Sequence, residues 1–318
     1  MERHHIKAPE EAPILEGGSV VTVGVFDGVH LGHRSILDRL TATASKRALP
    51  SACITFAVHP RSVLSANSPQ SLLSLEHRLE LLERLGLNHA VIIEFSEDFS
   101  RIEPEVFVDE ILVRRLGAKE LIIGHDTAIG HHRRGNAAFL ESCAQQHGFH
   151  IVTVGGVAVD GQIVSSTGIR AAMSRGDLDA AQRMLGRPVS LLGTVVEGAG
   201  RGAKIGFPTA NLEVHSEAFP PFGVYAVTAR FPDESSPDLP SVMNFGTRPT
   251  FNQNESHGVF EVHVLDQENL DLYGKRIEIF LHAFLRREHR FAGPEELVTQ
   301  IRKDCEEART VHRSLPAH

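Results

Sequence analysis

Val20–His33, VVTVGVFDGVHLGH, decides how the amino-terminal half of the chain is read. Val20–Val23, with Val25 just beyond, is mostly β-branched and apolar, the composition of a buried strand. Gly24 ends it, and Asp27-Gly28 makes a turn in which glycine takes positive φ without steric penalty. After His30-Leu31-Gly32-His33, the residues Ile36, Leu37 and Leu40 recur at helical spacing. A strand, a glycine-broken loop and a helix start make a place to hold phosphate, because unpaired N–H groups at a helix N-terminus attract an anion. His30 and His33 add side-chain donors, and Gly32 lacks the Cβ that would keep a phosphate off the backbone. Two histidines three apart are also commonly solvent-facing neighbours on a helix, or two ligands for zinc. No H-E-x-x-H glutamate stands beside them and the chain has no Cys-x-x-Cys, which weakens the zinc reading.

Outward from this stretch, short apolar runs alternate with amphipathic ones. Strands are expected at Val20–Val25, Ala52–Phe56, His89–Phe95, Lys119–Ile123 and His150–Val154. Helices are expected at Ser35–Lys46, Leu75–Leu85, Pro104–Leu116 and Asn136–His147. That alternation predicts a parallel, doubly wound sheet, with ligands at the carboxyl ends of its strands. Residues 1–17 read as a frayed arm. Loops after the later strands converge on the same edge: Ala57–Pro60, then Gly124–Asp126 with the basic run His131–Arg134, then Ser165-Ser166-Thr167-Gly168-Ile169-Arg170. In the last, hydroxyls can cap a helix and Arg170 can grip an anion in bidentate fashion. Standing alone, the same loop is an ordinary cap with a surface arginine.

Composition changes at Gly186-Arg187-Pro188, so domains are expected at 1–187 and 188–318. A short helix over Asp177–Leu185 precedes the change. Beyond it, strands at Ser190–Glu197, Val224–Phe231, Ser241–Phe245, Gly258–Leu265 and Arg276–Phe284 suggest a small antiparallel barrel, closed by a helix from Pro294 to Val311. Between the first two, Ile205–Leu212 (IGFPTANL) follows the glycine-rich loop Gly198–Gly202. Thr209 and Asn211 alternate across it and face one way, and their hard oxygens suit Mg²⁺. In Gly258–Asp266 (GVFEVHVLD), Glu261 shares a face with Val259, His263 and Leu265. It reads equally as a general base or as a solvated rim carboxylate.

The 318 residues allow two domains, and 42% hydrophobic with 23% charged residues describes a soluble globular chain. Thirty-two basic against 40 acidic residues give a net charge of -8, which argues against a nucleic-acid binder. Cys53, Cys143 and Cys305 are scattered and odd in number, so a reducing, cytoplasmic setting is expected. No apolar run approaches a membrane span, so neither membrane nor nucleic acid is expected as a partner. The sequence gives no oligomeric state.

Preceded by G-V-F-D-G after a strand, the H-x-G-H stretch resembles the nucleotide-binding motif of the nucleotidyltransferase superfamily. GFPTANL, GVYAV (Gly223–Val227), NFGTRPTF (Asn244–Phe251), FEVHVLD and LYGKRIEIFLHAFLRREHRF (Leu272–Phe291) resemble the consecutive motifs of riboflavin kinase. Together with SSTGIR and LGRP, nearly everything from Val20 to Val311 resembles the bacterial bifunctional riboflavin kinase/FMN adenylyltransferases. The fold this implies is α/β plus β, a Rossmann-like nucleotidyltransferase domain followed by the barrel. The resemblance puts the adenylyltransferase histidines at His30 and His33. Ser166, Thr167 and Arg170 would complete the ATP site, and Gly24, Phe26, Asp27 and Asp126 would lie in the nucleotide and flavin pocket. In the kinase half it implies Mg²⁺ on Thr209 and Asn211, with Gly206 in the nucleotide loop. Glu261 would then be the base, with Arg286 near the flavin. The expected substrates are riboflavin, FMN and ATP, with FAD as final product.

The chain departs from the family at Ala57 and Val58, where an acidic residue and proline are usual. It departs again at Thr127 and Ile129, where phenylalanines are usual. These positions belong to the FMN side, so weaker FMN binding is expected, by about a kilocalorie per lost aromatic face. The competing reading is a monofunctional riboflavin kinase with a weakened or inactive amino-terminal domain.

Overall fold

The computed structural model describes residues 1–318 except 66, 199, 235–236, 248–257, 268–269 and 316–318, with backbone alone at 201 and 247. The sequence motif Asn244–Phe251 therefore lies partly outside the described residues. Contacts divide the chain into two compact units, residues 1–71 with 75–166, and 72–74 with 167–318.

In the first unit, β1 (Glu2–Ile6), β2 (Ser19–Val23), α1 (Leu31–Arg47), β3 (Ser51–Phe56) and α2 (Pro60–Leu64) lead into α3 (Leu75–Arg84), β4 (His89–Ile93) and α4 (Glu97–Ser100). Then follow α5 (Pro104–Val106), which runs into a π-helical stretch Phe107–Arg115, then β5 (Ala118–Gly124), α6 (Ala137–His147) and β6 (His150–Val154), with a hairpin of β7 (Ala158–Val159) and β8 (Gln162–Ile163). The six long strands are all parallel, in the order β1-β4-β3-β2-β5-β6. Every residue of β2 is buried, and its two hydroxyls are satisfied by backbone carbonyls, Ser19 on Leu116 O at the end of the π-helical stretch at 2.6 Å and Thr22 on Ile122 O of β5 at 2.7 Å.

Two expectations are corrected. Residues 1–17 are no frayed arm: Glu2–Ile6 pairs in register with His89–Ile93 as an edge strand, and Ile6 is 0% exposed in the core. The expected α-helix over Pro104–Leu116 is an α-turn followed by π-helix. Leu116 N–H reaches back five residues to Ile111 O at 2.9 Å, and Phe107, Val108, Ile111 and Leu112 all turn to the core.

The second unit takes in α7 (Ser166–Ser174, from Thr167 onward) and α8 (Leu178–Leu185), which packs on the barrel strands β9 (Val189–Val196) and β14 (Arg276–Arg286). Between these strands come α9 (Arg201–Lys204), β10 (Ala210–Val214), β11 (Gly223–Arg230), β12 (Leu239–Thr247) and β13 (Gly258–Val264). The barrel is closed and antiparallel, in the order β10-β13-β12-β11-β14-β9. Tyr225, Val227, Met243, Phe245, Phe260 and Val262 are buried, and Phe245 stacks on its cross-strand partner Phe260 at 4.1 Å. α10 (Pro294–Ser314) covers part of the other face, where Cys305 and Ala308 meet Val224, Ala226 and Val242.

Candidate active sites

The order in which strands are added reverses between β2 and β5, since β3 and β4 lie on one side of β2 while β5 and β6 lie on the other. In parallel α/β sheets that crevice, outside the carboxyl ends, is where ligands bind. The Gly24–His33 stretch leaves the end of β2, and Gly124–Asp126 leaves the end of β5. A Cβ on Gly24 would crowd the Phe26 ring at 3.0 Å, so the glycine leaves room for that buried ring. The loop is strained: Gly28 takes φ +87°, as its turn requires, but Phe26 at +54° and Val29 at +41° lack a glycine's freedom.

His30 is the N-cap of α1, its Nδ1 accepting the His33 N–H at 3.3 Å. The two imidazoles stack 3.6 Å apart, and Phe26 meets His33 edge-on at 5.3 Å. His30 is 5% exposed while His33 is only partly covered. Burial holds His33 well below the ordinary histidine value of 6.5, with His30 and Arg78 pushing the same way. Its Nδ1 is buried with no hydrogen-bond partner among the described residues. Ser166, the last residue of the first unit, donates its hydroxyl to Asp27 O at 2.8 Å. Thr167 and Arg170 follow within the first turns of α7 and group with the second unit. Asp126 is exposed, and its carbonyl accepts from Arg133 Nη2 at 2.8 Å. Thr127 and Ala57 are partly covered and Val58 is exposed, whereas Ile129 is packed into the core and presents no face to a ligand.

In the barrel, Asn211 on β10 stands opposite Glu261 on β13, and Glu261 stands opposite Asn244 on β12. Directly paired strand residues share a face, so an amide, a carboxylate and an amide form one row across three strands. The row is on the outside of the barrel, because the alternate residues Phe260 and Val262 are buried inside. Asn211 is 8% exposed, and a Cβ on Gly198 would collide with its amide. A Cβ on Gly202 would crowd Thr209 Oγ1 at 3.1 Å. The glycine-rich loop thus lies directly against the two oxygen donors. Gly206, at φ +87°, turns the chain from α9 toward them. His263 Nδ1 contacts Pro208 O at 2.8 Å, pinning the segment before Thr209 to β13.

Arg286 falls in the next part of the same register, through Val224. Its Nε and Nη2 grip Asp304 at 2.9 and 2.8 Å, with the guanidinium 5.7 Å from the Phe291 ring. Asp304 is 2% exposed and also accepts from Gln300 at 2.9 Å.

Three residues escape the sequence reading. Arg78, 4% exposed, donates to Val25 O at 2.9 Å and to Phe56 O, tying the loops after β2 and β3 together. Burial lowers its affinity for the proton and Asp27 opposes that shift. The available signal is an arginine on the apolar stripe Leu75, Leu79, Leu82. Asn244 and Asp304 become visible only through cross-strand register and helix packing.

Residues 13–168 match the family described as FAD synthetase, and residues 185–312 match that described as riboflavin kinase. A bifunctional riboflavin kinase/FMN adenylyltransferase of Haemophilus influenzae is 35% identical over 93% of this chain and 95% of its own length. That of Escherichia coli K12 is 36% identical over 94% of this chain and 92% of its own. A crystal structure described as a macrolide-efflux protein from Streptococcus pneumoniae superimposes with a TM-score of 0.84 at 27% identity, covering 97% of this chain and 99% of that one. Among the described residues here, no helix is long and apolar enough to cross a membrane. With both transferase domains present in order, the chain belongs to the bifunctional riboflavin kinase/FMN adenylyltransferase family.

Proposed function

We propose that the chain makes FAD from riboflavin in two ATP-dependent steps, one in each half, divided at 187/188. In the carboxyl-terminal half, Glu261 takes the proton of the ribityl 5′-hydroxyl as that oxygen attacks the γ-phosphorus of ATP, giving FMN and ADP. In the amino-terminal half, an FMN phosphate oxygen attacks the α-phosphorus of a second ATP, giving FAD and pyrophosphate. His30, His33, Ser166, Thr167 and Arg170 answer the charge that grows on the leaving pyrophosphate, and no protein nucleophile is needed. Gly24, Phe26 and Asp27 shape the loop, and Asp126 lines the flavin side. Arg286, positioned by Asp304, serves the flavin side of the kinase half.

The donors at Thr209 and Asn211 fit Mg²⁺: both offer neutral, hard oxygens, both are cradled by glycines whose Cβ would fill the space, and Glu261 supplies a nearby negative charge. Magnesium bound there would neutralise triphosphate charge during transfer. Gly198, Gly202 and Gly206 keep the loop backbone close to those donors. Buried, free cysteines at 53, 143 and 305 suit a cytoplasmic enzyme.

The observation that carries this reading is the in-register pairing of Asn211 with Glu261 on the outer face of the barrel, which supports reading the one as a metal donor and the other as the base. The test is product chromatography after incubating the protein with riboflavin and Mg-ATP. FMN and FAD are expected, with ADP and pyrophosphate released. A product mixture that stops at FMN, also when FMN is supplied, makes the chain a monofunctional kinase.

A further inference from the structure

The edge of the sheet remote from the nucleotide loop carries chemistry that the two transfer reactions do not use. Glu2 pairs in register with His89, and His4 lies two residues on, so all three side chains share one face at the amino end of β1 and β4. His4 Nε2 and His89 Nδ1 are 3.3 Å apart, and Glu2 Oε2 lies 3.7 Å from the first and 3.5 Å from the second. Each residue offers one ligand atom to a common centre, the sole such cluster of three among the described residues. Family matching begins at residue 13, so Glu2 and His4 stand outside the matched segment.

We propose that Glu2, His4 and His89 form a binding site for a divalent transition ion, Zn²⁺ by chemistry, that clips the amino-terminal strand to the sheet. Zinc takes imidazole nitrogen and carboxylate oxygen at about 2.0–2.2 Å in tetrahedral array, which puts ligand atoms about 3.3–3.6 Å apart. The three observed separations match those edges with little movement. Two nitrogens and one oxygen favour zinc over Mg²⁺ or Ca²⁺, which prefer all-oxygen shells. Three protein ligands leave the fourth position to water, on the side where Glu2 is exposed. The neighbouring charges are already engaged elsewhere: Met1 amino group and Arg3 pair with Glu83 and Glu76, and His5 on the opposite face pairs with Glu94 at 2.6 Å.

The alternative is that His4 and His89 share one proton in an N–H···N hydrogen bond and bind nothing. Titration of the full-length protein with Co²⁺, followed by its visible d–d absorption and then displaced by Zn²⁺, separates the two. The expected result is one equivalent with the strong absorption of a tetrahedral centre, weakened at least tenfold in apparent affinity by His4→Ala or His89→Ala. His5→Ala retains full binding, and Zn²⁺ raises the melting temperature of wild type but not of His4→Ala. No tetrahedral Co²⁺ spectrum, or a spectrum unchanged in both His4→Ala and His89→Ala, overturns the proposal. Should His89→Ala fail to fold, His4→Ala at the edge strand decides alone.

Discussion

The two halves solve one problem, steering a triphosphate, with opposite architectures. In the amino-terminal unit the central strands β2, β3, β4 and β5 are buried almost throughout, so the candidate site falls to their ends and the strained loop Gly24–His30. In the barrel the inside is filled by Tyr225, Phe245 and Phe260, yet strands keep an outer face, and Asn211, Glu261 and Asn244 are set in place by register. A loop site depends on what braces it from behind, and here that brace is Arg78. A strand-face site depends on hydrogen-bonded pairing, which no single side chain sustains. Mutations should therefore damage the first site through neighbours and the second through the chemical groups themselves.

The largest expected effect tests the second half of that statement. Glu261→Gln should lower the turnover of riboflavin phosphorylation by about 10²–10⁴-fold, with adenylylation of supplied FMN unchanged. Steady-state assays of each step check it. Next, Arg78→Met strips the donor from two partly buried carbonyls and removes a buried guanidinium, and should lower stability by roughly 3 kcal/mol. Urea unfolding measures the loss, and adenylylation should fall while phosphorylation is spared.

His33 gives a smaller effect with a definite sign. Its folded proton affinity is depressed, so its contribution to stability is complete above pH 6.5 and is lost as pH falls toward the folded value. Urea midpoints at about pH 7.5 and about pH 5.5 should differ less in His33→Gln than in wild type. The difference should shrink rather than vanish, because burial also lowers His89 and His312. Smallest is Thr127→Phe, which restores one aromatic face to the FMN side and should lower the KM for FMN about fivefold, the equivalent of roughly 1 kcal/mol. The same change at Ile129 should do nothing for FMN, since that side chain is in the core.

What the sequence made legible follows the range of the interactions. The period of β2 and α1, the glycine turn at Gly28 and the alternation in β13 are local, and all fold as read. Edge strand β1 was invisible because ERHHI is polar on both faces up to Ile6 and gains its identity by pairing with residues 89–93. The π-helical stretch Phe107–Arg115 buries Phe107, Ile111 and Leu112 together, a register that helix propensity does not encode. The roles of Arg78, Asn244 and Asp304 depend on partners 22 or more residues away in hydrogen bonding, 17 in strand pairing and 18 in the Arg286 clasp. His30 is a middle case: its place at the helix start was readable, its function as the cap was not.

The central claim, two independent transfer sites in one chain, is tested most directly by complementation. His30→Ala and Glu261→Gln, each supplied with riboflavin and Mg-ATP alone, should yield FMN only and no product, respectively. Mixed in one tube they should yield FAD, the first variant feeding FMN to the second. A mixture that forms no FAD, or FAD at the wild-type rate from either variant alone, would contradict it.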